Sequence, residues 1–134
     1  MKITICKEFR FESAHYLPEH EGQCRYIHGH SYKLLIGIQK QIDPFLIYEN
    51  QEMVVDFGAL KSIINEYIIE ELDHTLLNEY EGYKDIPFPN YAPTAESIVI
   101  WIVQILEKEF KHWDCDLEFV RLYETETSYA EWRK

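Results

Sequence analysis

Two stretches near the start of the chain alternate apolar with polar residues, and this alternation constrains the fold more than any other feature. The apolar members are Ile3, Ile5, Phe9 and Phe11 in the first stretch, and Tyr32, Leu34, Ile36 and Ile38 in the second. Successive side chains of a strand point to opposite faces, so each stretch predicts a strand with one buried face. A polar loop from Pro18 to Tyr26 separates them and allows them to pair antiparallel.

Two helices are predicted farther along the chain. Asp56 is a good N-cap for a helix from about Phe57 to Leu72, and Thr94 is a good N-cap for a second helix. Apolar residues recur at helical spacing in both segments, as expected of helices that bury one face. These residues are Leu60, Ile63, Ile64, Tyr67, Ile68 and Leu72, then Ile98, Trp101, Ile102, Ile105 and Leu106.

The remaining segments are predicted as connections and further strands. Leu117–Thr125 has the pattern of a strand, and Ser128–Trp132 that of another. Met53–Val55 is predicted to be a short return to the sheet. The connections are predicted at 41–51 and 78–93.

The order β-β-α-α-β-β predicts an α+β fold, with two helices on one face of an antiparallel sheet. We expect a single domain over residues 1–134. The edges of such an open sheet stay unpaired, which favours oligomerisation through edge strands.

The composition excludes several functional classes. A formal net charge of −11 repels phosphate backbones, so nucleic acid is not an expected partner. No apolar run approaches the roughly 18 to 20 residues of a membrane span, and no secretory signal is visible. The odd set Cys6, Cys24 and Cys115 has no paired spacing and predicts reduced thiols in a cytoplasmic protein.

His28 and His30 are two residues apart at the start of the second predicted strand. Their side chains would point to the same face, about 6.5 to 7 Å apart along the backbone. His15 ends the first strand and would lie beside them if the strands pair. Three neutral imidazoles with an open fourth position are typical of a catalytic zinc site, although a pair of strand histidines without metal is the alternative. His20 and His112 are predicted to be surface residues.

Cys24 lies in the polar loop ahead of these histidines, and the spacing leaves three roles open. It can be a small packed thiol, or a fourth ligand that closes a structural Cys-His₃ zinc site. A thiol beside a cationic metal would instead have a lowered pKa and be reactive.

Several ordered motifs resemble the family of 6-pyruvoyl-tetrahydropterin and 6-carboxytetrahydropterin synthases. The similarity begins with Phe11-Glu12-Ser13-Ala14-His15 and Cys24-x-x-x-His28-Gly29-His30-Ser31-Tyr32. It continues with Val55-Asp56-Phe57-x-x-Leu60-Lys61, Leu72-Asp73-His74-x-x-Leu77-Asn78, Pro93-Thr94-x-Glu96 and Glu124-Thr125. The resemblance spans nearly the whole chain.

The resemblance implies a tunnelling fold (T-fold) and a homohexamer of two stacked trimers, with active sites at subunit interfaces. It implies Zn²⁺ on His15, His28 and His30, and 7,8-dihydroneopterin triphosphate as the substrate. The three residues between Cys24 and His28 are similar to the carboxytetrahydropterin synthases of the queuosine (7-deazaguanine) pathway. These enzymes release triphosphate and acetaldehyde, whereas the alternative pyruvoyl synthases only eliminate triphosphate.

The resemblance also implies roles for four further residues. Cys24 would act as a thiolate base, Asp73 and His74 as a proton relay, and Glu124 as the anchor of the pterin ring. Glu126 is a rival for that last role. The final segment, Ser128-Tyr129-Ala130-Glu131-Trp132, departs from the family pattern because it contains no glycine. The groups that bind the triphosphate are not identified, and Arg25 and Lys33 are only the nearest cations in sequence.

Overall fold

Seven strands are present in the computed structural model, which describes residues 1–45, 52–90 and 92–134. The main sheet has the order β3-β1-β2-β6-β7. Its strands are β1 Lys2–His15, β2 His28–Gln41, β3 Thr75–Leu76, β6 Asp116–Thr125 and β7 Ser128–Arg133. The short strands β4 Gly82–Tyr83 and β5 Ile86–Pro87 form a separate hairpin.

β1 and β2 pair antiparallel along their whole length, from Lys2 opposite Gln41 to His15 opposite His28. The predicted alternation is confirmed over most of this pair. The alternating apolar side chains are buried, except that Ile5 is half-buried and Ile3 at the outer end of β1 is 38% exposed. The buried members are Phe9, Phe11, Tyr32, Leu34, Ile36 and Ile38.

β6 pairs with the other side of β2, and the register shifts between Gly37 and Ile38. The ring of Phe119 lies over this irregularity. A Cβ atom added to Gly37 would lie 2.1 Å from that ring, so only glycine fits here without moving the aromatic side chain. β7 pairs antiparallel with β6 and forms one edge of the sheet.

The first predicted helix is confirmed as a continuous helical run with a wider turn in its middle. It consists of α1 Phe57–Ile64, a π-type turn over Asn65–Ile69, and α2 Glu70–Leu72. The Asp56 side chain accepts a hydrogen bond from the Ala59 backbone N–H at 2.8 Å, as its N-cap role requires.

The second predicted helix is also confirmed, as α3 Ala95–Glu109. Thr94 Oγ1 accepts a hydrogen bond from the Ser97 backbone N–H at 3.3 Å. The five apolar residues predicted to face inward are all buried. With the sheet face of Phe11 and Leu34, the helices enclose one hydrophobic core. Within the described part of the chain, no helix is long and apolar enough to cross a membrane.

The predicted return of Met53–Val55 to the sheet is wrong. These residues form no strand, and Val54 is instead buried in the core as the chain enters α1. A short apolar run has the same pattern in a buried loop as in a strand. Part of the predicted 41–51 connection lies outside the described residues, and Gln41 itself belongs to β2.

Two short elements lie where loops were expected. The 78–93 segment contains the β4–β5 hairpin, and Tyr91 within it lies outside the described residues. β3 pairs parallel with β1 at Ser13 and Ala14, so one edge of the otherwise antiparallel sheet has a parallel strand. The prediction of an α+β fold, with helices on one face of the sheet, is confirmed.

Candidate metal centre

His15, His28 and His30 meet at one end of the sheet. His15 ends β1 and lies directly opposite His28, while His30 lies opposite Ser13 two residues farther along. Because side chains two apart on a strand share a face, all three imidazoles lie on the face that carries the core. One potential ligand atom from each residue lies within 4.8 Å of the others.

The rings are arranged edge to face around a common point. Their centroids are 4.6 Å apart for His15 and His28, 5.0 Å for His15 and His30, and 4.9 Å for His28 and His30. His15 is 1% exposed, so this point lies at the inner end of a recess rather than on an open surface.

Backbone carbonyls select the nitrogen that each of two histidines offers. His15 Nδ1 lies 2.8 Å from the carbonyl oxygen of Pro93, and His28 Nδ1 lies 2.7 Å from that of Tyr26. A carbonyl can only accept, so both Nδ1 atoms carry the proton and both Nε2 atoms keep a free lone pair. Such a bond to the second nitrogen is the usual way that a metal-binding histidine is oriented.

The donor set fits a metal ion. Within the described residues, His15 Nε2 and His30 Nε2 are buried without a hydrogen-bond partner. Leaving a buried polar atom unpaired costs roughly 1 to 3 kcal/mol, and a bound cation would remove that cost. Burial is the largest influence on His30 and lowers its pKa, which favours the neutral imidazole that a metal needs.

Glu124 of β6 lies beside this donor set. Its carboxylate oxygens are 3.8 Å from His30 Nε2 and 4.0 Å from His15 Nε2, too far for hydrogen bonds. Glu124 also lines a cavity of about 310 Å³. Leu17, Thr94, Glu96, Ser128 and Tyr129 are among its other lining residues.

The lining of this cavity bears on two questions that the sequence left open. Its volume is at the lower end of the roughly 300 to 1,000 Å³ that small-molecule sites occupy. The start of β7, at Ser128 and Tyr129, closes one side of it in place of the glycine expected there. Glu126 is exposed and lines a different cavity with Arg10 and Lys33.

Tyr32 lies behind the histidines and is completely buried. Its ring is 5.6 Å from that of His30 and 6.3 Å from that of His15, measured between centroids. Burial and then the charge of Glu124 raise the pKa of its phenol, so the hydroxyl stays protonated.

Cys24 lies in a 3₁₀ turn, Gln23–Arg25, and is partly buried. Its carbonyl accepts a hydrogen bond from the Leu17 N–H at 2.8 Å, which ties the turn to one wall of the Glu124 cavity. Among the described residues, the cluster of mutually close ligand atoms contains the three histidines without Cys24. This geometry disfavours a closed Cys-His₃ structural site.

Asp73 and His74 follow α2 and form a hydrogen-bonded pair, with His74 Nδ1 2.9 Å from Asp73 Oδ2. The Asp73 carboxylate also accepts a 2.8 Å hydrogen bond from the Glu12 N–H. The pKa of Asp73 is lowered mainly by this hydrogen bond, and further by His74. His74 has a φ of +59° and a side chain that is 78% exposed.

His74 lies away from the Glu124 cavity within one chain. It lines an open groove of about 500 Å³ together with Glu12, His30 and Ser31. A positive φ is uncommon outside glycine, and such conformations concentrate at functional sites. The site residues predicted from sequence therefore divide into three groups: a histidine cluster with Glu124, a Cys24 turn tied to Leu17 in the wall of the Glu124 cavity, and an Asp73–His74 pair whose His74 lines a groove with His30.

Sequence reasoning missed the groups that orient the cluster. The carbonyls of Pro93 and Tyr26 carry no signal in residue type, and Pro93 is 78 residues from His15. The Tyr32 hydroxyl could have been noticed, since a tyrosine at a fully buried strand position usually needs a partner for its O–H.

The fold and the cluster define an α+β protein in which three histidines that could hold a metal ion lie beside a cavity. A family model described as 6-pyruvoyl tetrahydropterin synthase matches residues 4–134, and the chain belongs to this family. It is therefore an enzyme, of the lyase type that this family represents.

Two curated relatives carry the name 6-carboxy-5,6,7,8-tetrahydropterin synthase. The protein of Haemophilus influenzae is 33% identical over 98% of this chain and 99% of its own length. That of Synechocystis is 38% identical over 78% of this chain and 74% of its own length.

Solved structures confirm the fold. The 6-pyruvoyl tetrahydropterin synthase of Caenorhabditis elegans matches with a TM-score of 0.79 at 21% identity, covering 100% of this chain and 96% of that one. An uncharacterised protein of Wolinella succinogenes matches with a TM-score of 0.76 at 19% identity, covering 99% and 98% of the two chains. The T-fold expected from the resemblance is thus confirmed.

Proposed function

We propose that this chain is a zinc-dependent lyase that converts 7,8-dihydroneopterin triphosphate into 6-carboxy-5,6,7,8-tetrahydropterin. The reaction consumes one water, releases triphosphate and acetaldehyde, and serves queuosine (7-deazaguanine) biosynthesis. The observation that carries the proposal is the convergence of three imidazoles, two with buried unpaired Nε2 atoms, beside the Glu124 cavity. The names of the curated relatives support the carboxy product.

His15, His28 and His30 would hold the zinc ion. Bound zinc supplies Lewis-acid polarisation of a substrate oxygen, which acidifies the adjacent carbon. The carbonyls of Pro93 and Tyr26 keep two of the imidazoles in the orientation that binding needs. His15 is additionally fixed by its burial.

Glu124 binds the pterin ring. A carboxylate can accept two parallel hydrogen bonds, here from the exocyclic amino group and the neighbouring ring N–H of the pterin. Its position in the cavity wall, with side-chain exposure of 30%, leaves the carboxylate accessible to such a ligand.

Cys24 removes a proton from the substrate as a thiolate. The thiolate is the reactive form of a cysteine side chain. Asp73 orients His74, and His74 exchanges the proton. The hydrogen bonds that Asp73 accepts from the Glu12 N–H and from His74 Nδ1 support a fixed relay.

We further propose that the enzyme is a cytoplasmic homohexamer of two trimers, in which two subunits complete each active site. His74 and Glu124 do not share either of the cavities described above, which supports a site built from more than one chain. β3 covers only Ser13 and Ala14 of β1, so the rest of that strand is available for edge pairing. Each subunit is proposed to be one domain.

Product analysis tests this function directly. The purified enzyme, loaded with zinc, is incubated with 7,8-dihydroneopterin triphosphate, and the products are identified by mass spectrometry. We expect the carboxy pterin together with equimolar acetaldehyde. Absence of both products would contradict the proposal.

A second candidate is 6-pyruvoyl-tetrahydropterin synthesis, which is favoured by the likeness to the Caenorhabditis elegans structure. This reaction eliminates triphosphate without breaking a carbon–carbon bond. A pyruvoyl pterin without acetaldehyde would identify it in the same experiment.

A further inference from the structure

The hydroxyl of Tyr32 has no role in the core that surrounds it. Its ring stacks on Phe11 with centroids 4.9 Å apart and an interplanar angle of 11°. The side chain is 0% exposed, and its oxygen has no hydrogen-bond partner within the described residues. A phenylalanine would pack in the same way without the roughly 1 to 3 kcal/mol cost of an unpaired buried hydroxyl.

Glu124 is the acceptor that the geometry offers. β2 and β6 pair antiparallel up to Lys33 opposite Tyr123, so Tyr32 and Glu124 are the residues next to this last pair, where β6 has an irregularity between Tyr123 and Thr125. Both residues lie on the sheet face that carries the histidines. The Glu124 carboxylate is too far from His15 Nε2 and His30 Nε2 for hydrogen bonds, since these contacts are 4.0 and 3.8 Å long.

The position of this carboxylate creates a conflict at the metal centre. A carboxylate oxygen binds zinc at about 2.0 to 2.2 Å, and a small rotation of Glu124 would bring it among the imidazoles. Glu124 would then occupy the open position and could not bind the ring of a pterin. A neighbouring group that fixes the Glu124 carboxylate outside the donor set would keep the open coordination position free.

We propose that Tyr32 is the positioning residue that does so: its buried hydroxyl is hydrogen-bonded to Glu124 through one bridging water. This bond holds the carboxylate away from the three-histidine donor set and toward the cavity. The inference rests on the proposed function only in assigning the pterin ring to Glu124.

The test uses Tyr32→Phe in the full chain, a substitution that removes only the hydroxyl group. Zinc is exchanged for Co²⁺, whose visible absorption reports its ligands, and neopterin is the binding probe. We expect an altered Co²⁺ spectrum in Tyr32→Phe, because Glu124 now enters the coordination sphere. We also expect neopterin to bind roughly tenfold more weakly, as for loss of a hydrogen bond to a charged group.

Tyr123→Phe is the matched control. Tyr123 is the residue beside Glu124 on β6, but its hydroxyl accepts a hydrogen bond from Arg121 at 3.3 Å on the other face of the sheet. The control should leave both the Co²⁺ spectrum and neopterin binding unchanged. Urea unfolding of metal-free Tyr32→Phe should show that the variant still folds, because its ring keeps the packing on Phe11.

The double variant Tyr32→Phe/Glu124→Gln identifies the partner. If the hydroxyl acts through Glu124, Tyr32→Phe will have no further effect on either readout in the Glu124→Gln background. A parental spectrum and affinity in Tyr32→Phe, or fully additive effects in the double variant, would overturn the proposal. Neither readout requires turnover, so a failure here is distinct from failure to form the carboxy pterin.

Discussion

At the residue scale, the candidate metal site depends on which nitrogen of each histidine is free. Hydrogen bonds to Pro93 and Tyr26 hold the Nδ1 protons of His15 and His28 and leave Nε2 for a ligand. The buried, unpaired Nε2 of His30 completes the set. Removal of one imidazole should therefore affect the metal far more than it affects the fold.

His28→Ala is the clearest substitution for this purpose, because His28 is only partly buried. We expect zinc to bind roughly 100-fold more weakly or worse, since even outer-shell changes cost 10- to 100-fold. Metal content after dialysis, with competition against a chromogenic chelator, measures the loss. His20→Ala removes an exposed histidine outside the cluster and should retain the metal; equal loss in both variants would contradict the assignment.

The sequence predicted this site only in part. His28 and His30 could be paired because strand side chains repeat every two residues, and His15 followed from the pairing of the two strands. Pro93 and Tyr26 could not be predicted, because they act through carbonyls that every residue type has. The conformation of His74 was equally hidden, since the residue has a positive φ and its N–H donates to the Glu12 carbonyl of β1, a contact between distant parts of the chain.

At the element scale, α3 covers the sheet with one strongly apolar face. Ile102 on that face is 0% exposed, whereas Ile100 on the same helix is 50% exposed. Ile102→Ala should lower the free energy of unfolding by about 2 to 5 kcal/mol through the cavity that it leaves.

Urea unfolding of the metal-free chain measures this change. Ile100→Ala should cost less than about 1 kcal/mol, because little packing is lost at an exposed position. Similar losses in the two variants would contradict the described orientation of α3.

The end of α2 is attached to β1 through the carboxylate of Asp73. The folded-state pKa of Asp73 is lowered, first by the hydrogen bond from Glu12 and also by His74. Its contribution to stability is therefore present above the ordinary aspartate pKa of about 3.9 and is lost as the pH falls through the lower, folded-state value.

Asp73→Asn tests the predicted direction of this pH dependence of stability. We expect it to destabilise the metal-free protein at pH 7, by about 1 kcal/mol or less because the carboxylate is partly solvated, and to matter less below about pH 4. Urea unfolding at several pH values measures the difference. Asp114→Asn, at a side chain that is 93% exposed, is the control. If the difference in free energy of unfolding between Asp73→Asn and the parent grew as the pH falls, the assigned pKa direction would be contradicted.

Element prediction succeeded where a pattern was long. The two helices and the four longer strands repeat their apolar period over several turns or pleats, so chance matches are few. β3 has two residues and Met53–Val55 has three, which is too short for a period to distinguish strand from loop. Tertiary contacts decided those segments, with β3 added to the edge of β1 and Val54 buried in the core.

At the scale of the whole molecule, Glu124 and His74 of one chain line different cavities. If Cys24 and His74 of one active site come from different subunits, two inactive variants can complement each other. Cys24→Ala and His74→Ala chains, refolded together in equal amounts, should recover roughly a quarter of the parental activity by random assembly. Each variant refolded alone should stay inactive.

Sedimentation should give the mass of six chains of 16.1 kDa for the parent and for the mixture. Lack of recovery in a mixture that does form hexamers would contradict a site shared in this way. The sequence could not predict this arrangement from its own periodicity, because the contacts involved lie between chains.

The central claim is a catalytic metal on three histidines with Cys24 as the reacting thiol. It is tested most directly by measuring zinc content and turnover together in Cys24→Ala. We predict that the variant keeps its fold and the zinc content of the parent but loses turnover. Loss of zinc together with unfolding would contradict the account, since Cys24 would then be a structural ligand.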